Sequence, residues 1–150
     1  MERFKDWKMP EFNETGVTKW NWMCQNHQNL TLGKNTDIGA FTYINAKFGV
    51  EIEEEAQIGS HCSIYSESTI DDKKGKVIIR RNARIGAHSV VMPGVTIGED
   101  AIVAACSFVN KDVPEGAIWG GVPAKELRST NDKLPNGILY TAVPEKSLKV

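Results

Sequence analysis

An aliphatic residue at every sixth position constrains this chain more than any other feature. In Ile79–Gly98 the beat falls on Ile79, Ile85, Val91 and Ile97, and a small or β-branched residue follows four places later at Ala83, Ser89, Val95 and Ala101. A helix repeats its faces every 3.6 residues and a strand every two, so neither makes this pattern. A sustained period of six is the signature of a stacked parallel β-helix.

The sixes begin at Leu32 and run through Ile38, Ile44, Ile52, Ile58, Ile64, Ile79, Ile85, Val91, Ile97, Val103 and Val109. Twelve openers make four coils of three. Four places after each opener stand Thr36, Thr42, Phe48, Ala56, Cys62, Ser68, Ala83, Ser89, Val95, Ala101, Ser107 and Val113; only Phe48 is bulky. Openers and small residues together predict the filling of a narrow triangular prism, each coil about 4.8 Å from the next. Gly33, Gly39, Gly59, Gly86 and Gly98 follow openers, where a sharp corner suits a residue without Cβ. Two interruptions break the count. Two extra residues fall near Phe48-Gly49, and nine extra residues predict an exposed loop over 69–77, polar and glycine-containing.

The flanks read differently. Residues 1–31 hold Trp7, Trp20, Trp22 and Met23, too many large apolar groups for a solvated tail, so this arm is expected to cover the first coil or a neighbouring subunit. A share in substrate binding is its other possible role. The prism is expected over 32–118, with Pro114 ending the last repeat. Residues 119–150 form a C-terminal extension in which 124–128 could open a short helix before Pro135, Gly137 and Pro144 break regularity.

At 150 residues the chain fits one domain, and a net charge of −1 does not favour a nucleic-acid or membrane-surface partner. The N-terminus lacks the apolar core of a signal peptide, and no run reaches the length of a spanning helix. Three cysteines, Cys24, Cys62 and Cys106, without a CxxC pair, suit a reducing compartment. The expectation is a cytoplasmic protein without a membrane span, with Cys62 as core filling.

Ile85-Gly-Ala-His-Ser-Val-Val-Met-Pro-Gly-Val-Thr-Ile-Gly98, then Ala105-Cys-Ser-Phe-Val-Asn-Lys-Asp-Val-Pro114, then Gly120-Gly-Val-Pro-Ala-Lys125 resemble the hexapeptide-repeat acyltransferases. The likeness covers about Leu32 to Arg128 and is greatest to the sugar acetyltransferases of the galactoside, maltose and surface-polysaccharide type. It implies an all-β fold, a left-handed parallel β-helix of about four coils with N- and C-terminal arms. It further implies a homotrimer that binds acetyl-CoA between neighbouring prisms and acetylates a sugar or nucleotide-sugar, with no metal. Carried over residue by residue, Ala87 and Ala105 would let the pantetheine arm approach the backbone. Asn110 and Lys111 match a short polar residue and a lysine of the family, and Lys125 and Arg128 would meet the CoA phosphates.

The galactoside-type enzymes carry a histidine as general base on the loop leaving the prism. That position falls at or near Thr69, and the 69–77 loop has no histidine. Direct acyl transfer still needs a group that takes the acceptor's proton, and an imidazole suits it. His61 and His88 occupy the same place in their repeats, Ile-Gly-Ser-His and Ile-Gly-Ala-His, 27 residues apart. One coil plus the loop accounts for that separation, so the two are expected to stack at one corner, with Phe41 above and Cys106 below, beside Ala87 and Ala105. They are the candidate bases; corner or trimer-interface residues are the plainer reading. Glu67, Asp71 and Asp72 are other acid–base groups near the loop. The missing loop histidine shifts some weight toward an amine acceptor, which needs a weaker base. Two other classes share the prism. A non-catalytic scaffold would have no use for Asn110, Lys111, Lys125 and Arg128 together. The γ-class carbonic anhydrases hold zinc with three histidines, two of them five residues apart, a pair that is missing from this sequence.

Overall fold

The computed structural model describes residues 4–129. The chain folds as a three-faced parallel β-helix of the left-handed type. Face one stacks Met23–Gln25, Tyr43–Asn45, Ser63–Tyr65, Val90–Val91 and Phe108–Val109. Face two stacks Leu30–Leu32, Val50–Ile52, Val77–Ile79 and Thr96–Ile97. Face three stacks Asp37–Ile38, Gln57–Ile58, Arg84–Ile85, Ile102–Val103 and Ala117–Gly121.

Inward residues pair in register down each face. Cys24, Ile44, Ile64, Val91 and Val109 form one ladder. Leu32, Ile52, Ile79, Ile97 and Val113 form the second, Val113 by a single bridge to Ile97. Ile38, Ile58, Ile85, Val103 and Trp119 form the third. The prism therefore has about five coils where the openers alone predict four. Three rungs escaped the period of six. Cys24 lies eight residues before Leu32, Val113 follows Val109 by only four, and Trp119 is no aliphatic.

The interruptions also resolve differently. Val50 and Val77, not Phe48 and Ser68, occupy the small interior positions, both fully buried. Phe48 is exposed, at 41%, because the two extra residues push it out of the prism. The outward excursion is a short antiparallel hairpin, Glu67–Ser68 against Lys73–Lys74, and Val77 is already back in the wall. No helix forms over 124–128. Gly121, at φ +102°, and Pro123 turn the chain, and Ala124–Ser129 returns antiparallel on Ala117–Gly121.

Both ends of the prism are covered. Above, Trp22 is buried and meets Phe12 edge-on at 5.4 Å, while Phe12 stacks on His27 at 4.5 Å. Trp7 donates its indole N–H to the Thr36 carbonyl at 2.9 Å, tying the arm to face three. Below, Trp119 closes the third ladder; its buried indole nitrogen has no hydrogen-bond partner among the described residues. Among these residues no helix is long and apolar enough to cross a membrane.

Candidate functional site

The corner between faces three and one turns through a left-handed residue in each coil. Phe41 (φ 64°), His61 (56°), His88 (60°) and Cys106 (59°) occupy it. Asn and Asp tolerate this conformation best after glycine, and histidine is enriched there too. Each amide donates up the stack: Phe41 to Asn21, His61 to Ala40, His88 to Ser60 and Cys106 to Ala87, at 2.7–3.0 Å. One left-handed residue per coil, bonded to the coil above, gives a straight column of outward side chains.

That column brings the two candidate bases together. The imidazoles of His61 and His88 stack with centroids 4.7 Å apart and planes 9° from parallel, and Phe41 covers His61 at 5.1 Å. All four corner side chains are exposed. Behind them, inside the prism, runs a column of small polar residues. Thr42 donates to the Gly59 carbonyl (2.9 Å), the Cys62 thiol to Gly86 (3.3 Å), and Ser89 and Ser107 both to Ala104 (3.2 and 2.6 Å). Cys62 is thus more than filling, because its thiol joins consecutive coils. Burial pushes that thiol's pKa up, keeping it a donor.

The glycines beside this corner serve close approach rather than a left-handed turn. A Cβ on Gly59 would lie 2.5 Å from the amide nitrogen of Ala87, and one on Gly86 would lie 2.4 Å from that of Ala105. With glycine at these positions, consecutive coils nest backbone to backbone. The outer surface of face three is in consequence a shallow groove of about 410 Å³ whose floor includes Gly59, Gly86, Ala104 and Ala105, with Asp37, Gln57 and Arg84 along it. Ala87 lies beside it and carries nothing larger than a methyl. The stacking bonds leave the amides of Ala87 and Ala105 without a backbone acceptor among the described residues. Such amides are ready donors to a carbonyl oxygen.

The remaining candidates stand apart from this groove. Asn110 and Lys111 are exposed after the last strand of face one, before the Asp112 side chain caps the Thr96 amide at 2.8 Å. Lys125 and Arg128 project from the antiparallel strand at the lower end of face three, opposite Gly120 and Ile118. Within one chain, face one separates Asn110 and Lys111 from the groove.

The hairpin carries carboxylates and lysines but no histidine. Asp71 accepts from the Ser68 hydroxyl and pairs with Lys73 at 2.9 Å, which hold its carboxyl below the usual range. Glu67 pairs with Lys47 at 3.0 Å. Ile70 at the tip is 99% exposed. Among the described residues no group of three or more His, Cys, Asp or Glu is placed to hold a metal ion. Sequence reasoning missed the unspent amides, because which N–H groups the stack consumes depends on which coil lies against which.

Three comparisons bear on this arrangement. A family pattern, bacterial transferase hexapeptide (six repeats), matches residues 76–111, the middle of the prism. Galactoside O-acetyltransferases of Escherichia coli (strain K12) and Lactococcus lactis subsp. lactis (strain IL1403) are each 31% identical, over 119 and 115 residues. These matches cover 69% and 67% of this chain and 59% and 56% of those proteins, so the chain spans under two thirds of their length. A hexapeptide-repeat-containing acetyltransferase from Vibrio cholerae, whose crystal structure holds acetyl coenzyme A, superposes with a TM-score of 0.70 at 30% identity, over 74% of this chain and 66% of that one. Sixes that prove to be rungs, in a prism shared with these relatives, make the chain a member of the bacterial transferase hexapeptide-repeat family.

Proposed function

We propose that the chain is an acetyl-CoA-dependent acyltransferase acting on a hydroxyl or amino group of a sugar or nucleotide-sugar in surface glycan synthesis, as a homotrimer in the cytoplasm. The groove on face three carries this reading. Its backbone-and-methyl floor, the unspent amides of Ala87 and Ala105, and the imidazole pair at its edge suit a thin amide-bearing chain ending in a thioester. The Vibrio cholerae relative's acetyl coenzyme A supports the cosubstrate, and the galactoside O-acetyltransferases support a sugar acceptor.

In this reading the Ala87 and Ala105 amides bind the carbonyl oxygens of the acyl-pantetheine arm. Lys125 and Arg128 meet its phosphates. Asn110 and Lys111, which one chain holds away from its own groove, serve a cleft shared with a neighbour. His88 or His61 accepts the acceptor's proton as the freed lone pair attacks the thioester carbonyl carbon. Negative charge gathers on that oxygen, where a backbone N–H stabilises it. Collapse breaks the C–S bond, and the imidazolium returns the proton to the leaving thiolate. An amine acceptor lowers the demand on the base, which fits a hairpin that offers no histidine.

Calorimetry with acetyl-CoA tests the first half: saturable binding is expected, and none at millimolar concentration would leave a non-catalytic scaffold. Release of free CoA thiol, followed over hydroxyl and amino sugars, tests the second half.

A further inference from the structure

One basic side chain, Arg84, and one acidic side chain, Asp37, line the groove on face three. Both belong to an outward column, Asp37, Gln57, Arg84 and Ile102, that the strand pairs hold in register. Two coils separate the charges, about 10 Å at the usual strand spacing. Arg84 is half-buried, and among the described residues its guanidinium has neither an ion pair nor a hydrogen bond. Its neighbours in the same coil differ. Arg80 bonds Glu53 at 2.7 Å, and Arg81 pairs with Glu99 and Glu55. A cation drawn partly out of water with no counter-charge is a cost that a bound anion offsets.

The place of this cation gives it a purpose. In its coil, face three runs from the left-handed corner at Asn82 to the one at His88. Arg84 stands near the first corner and His88 at the second, at most about 14 Å apart along the backbone. Ile85 points inward, Gly86 has no side chain and Ala87 only a methyl, so nothing larger stands between them on the outer surface. We infer that Arg84 is a specificity-determining residue that selects an acidic acceptor, one bearing a carboxylate or a phosphate near the group that is acylated. The inference rests on the acyltransferase reading. On that reading the CoA phosphates lie with Lys125 and Arg128 at the lower end, and an acetyl group is neutral, so the counter-charge for Arg84 comes with the acceptor. A guanidinium fork bonds two oxygens of either anion at once, which an ammonium does not match. A neutral glycoside leaves it unpaired.

The test titrates the CoA-saturated chain by calorimetry with glucuronic acid, glucose 1-phosphate, UDP-glucose and neutral methyl β-D-glucopyranoside, beside acetyl-CoA titrated into the free chain. At least one acidic probe should bind about tenfold or more tightly than the neutral glycoside, and which one does so tells carboxylate from phosphate. Arg84→Gln should erase that difference and Arg84→Lys should restore part of it, while acetyl-CoA affinity stays within about twofold. Arg84 has no partner to lose, so matching melting temperatures are expected. Acidic and neutral probes bound alike, no acidic probe bound, or a preference unchanged in Arg84→Gln would overturn the inference. Acetyl-CoA binding by the same preparation would then leave the transferase reading standing. A fall in acetyl-CoA affinity alone in Arg84→Gln would also overturn it, by giving the side chain to the cosubstrate. A parent chain that binds an acidic probe through Arg84 but no acetyl-CoA would sink the transferase reading and leave the anion site.

Discussion

His88 answers to two demands, one of backbone and one of chemistry, and substitutions can separate them. Its φ of 60° disfavours alanine, at about 1 kcal/mol, whereas asparagine tolerates this region. His88→Asn should therefore melt near the parent while His88→Ala melts lower. If His88 is the base, both should lose roughly 10²–10⁴-fold in kcat with the true acceptor. Undiminished kcat in His88→Asn and in His61→Asn would remove histidine from the mechanism. Gly86 offers a purely steric counterpart. A Cβ there meets the Ala105 amide nitrogen at 2.4 Å, so Gly86→Ala should cost about 1–3 kcal/mol by thermal or urea unfolding. Gly94, with nothing within 4 Å of such a Cβ and φ +80°, should accept asparagine at little cost. The stacking of His61 on His88 was legible from the sequence, because 27 residues decompose into a coil and an insertion. The job of the neighbouring glycines was not, since a period reveals that a position is small without revealing what crowds it.

Among the elements, the hairpin's return into the wall is clamped by charge. Lys76 bonds Glu51 at 2.7 Å across adjacent strands of face two and holds that carboxyl below its ordinary value. A lowered carboxyl contributes stability above its unfolded pKa and loses it as pH falls through the folded one. Lys76→Met should thus narrow the difference in melting temperature between neutral pH and pH 3. The pair is largely exposed, so the effect should stay under about 1 kcal/mol. Element boundaries were the least legible part of the sequence. Phe48 stood as the one bulky residue in a column of small ones, and that misfit marks where Val50 should have been read as the inward residue. At the lower end, the spacing of four between Val109 and Val113 hid a rung, and Gly120-Gly-Val-Pro123 became the turn of a hairpin rather than the lead into a helix.

On the scale of the molecule, exposure sorts the thiols. Cys24 is fully buried and its pKa is pushed up to about 12, Cys62 is buried and bonded, and Cys106 is exposed at the lower end of the histidine column. One thiol per native chain should react rapidly with a disulfide reagent, and Cys106→Ser should abolish that phase. Acetyl-CoA should slow it if the pantetheine arm runs beside Ala105. Light scattering should give three times the 16.6 kDa chain mass if Asn110 and Lys111 complete a neighbour's cleft. A monomer that still turns over would contradict that arrangement. The period of six disclosed the prism because every coil repeats it, while the arm at one end and the turn at the other repeat nothing. That division has a consequence for how such proteins diversify. The groove floor is main chain held by glycines that cannot grow a side chain, so it offers mutation almost nothing to alter. If the groove is the donor track, new acceptors can be gained only at its margins, through the arm, the corner column and the hairpin, leaving that track unchanged beneath them.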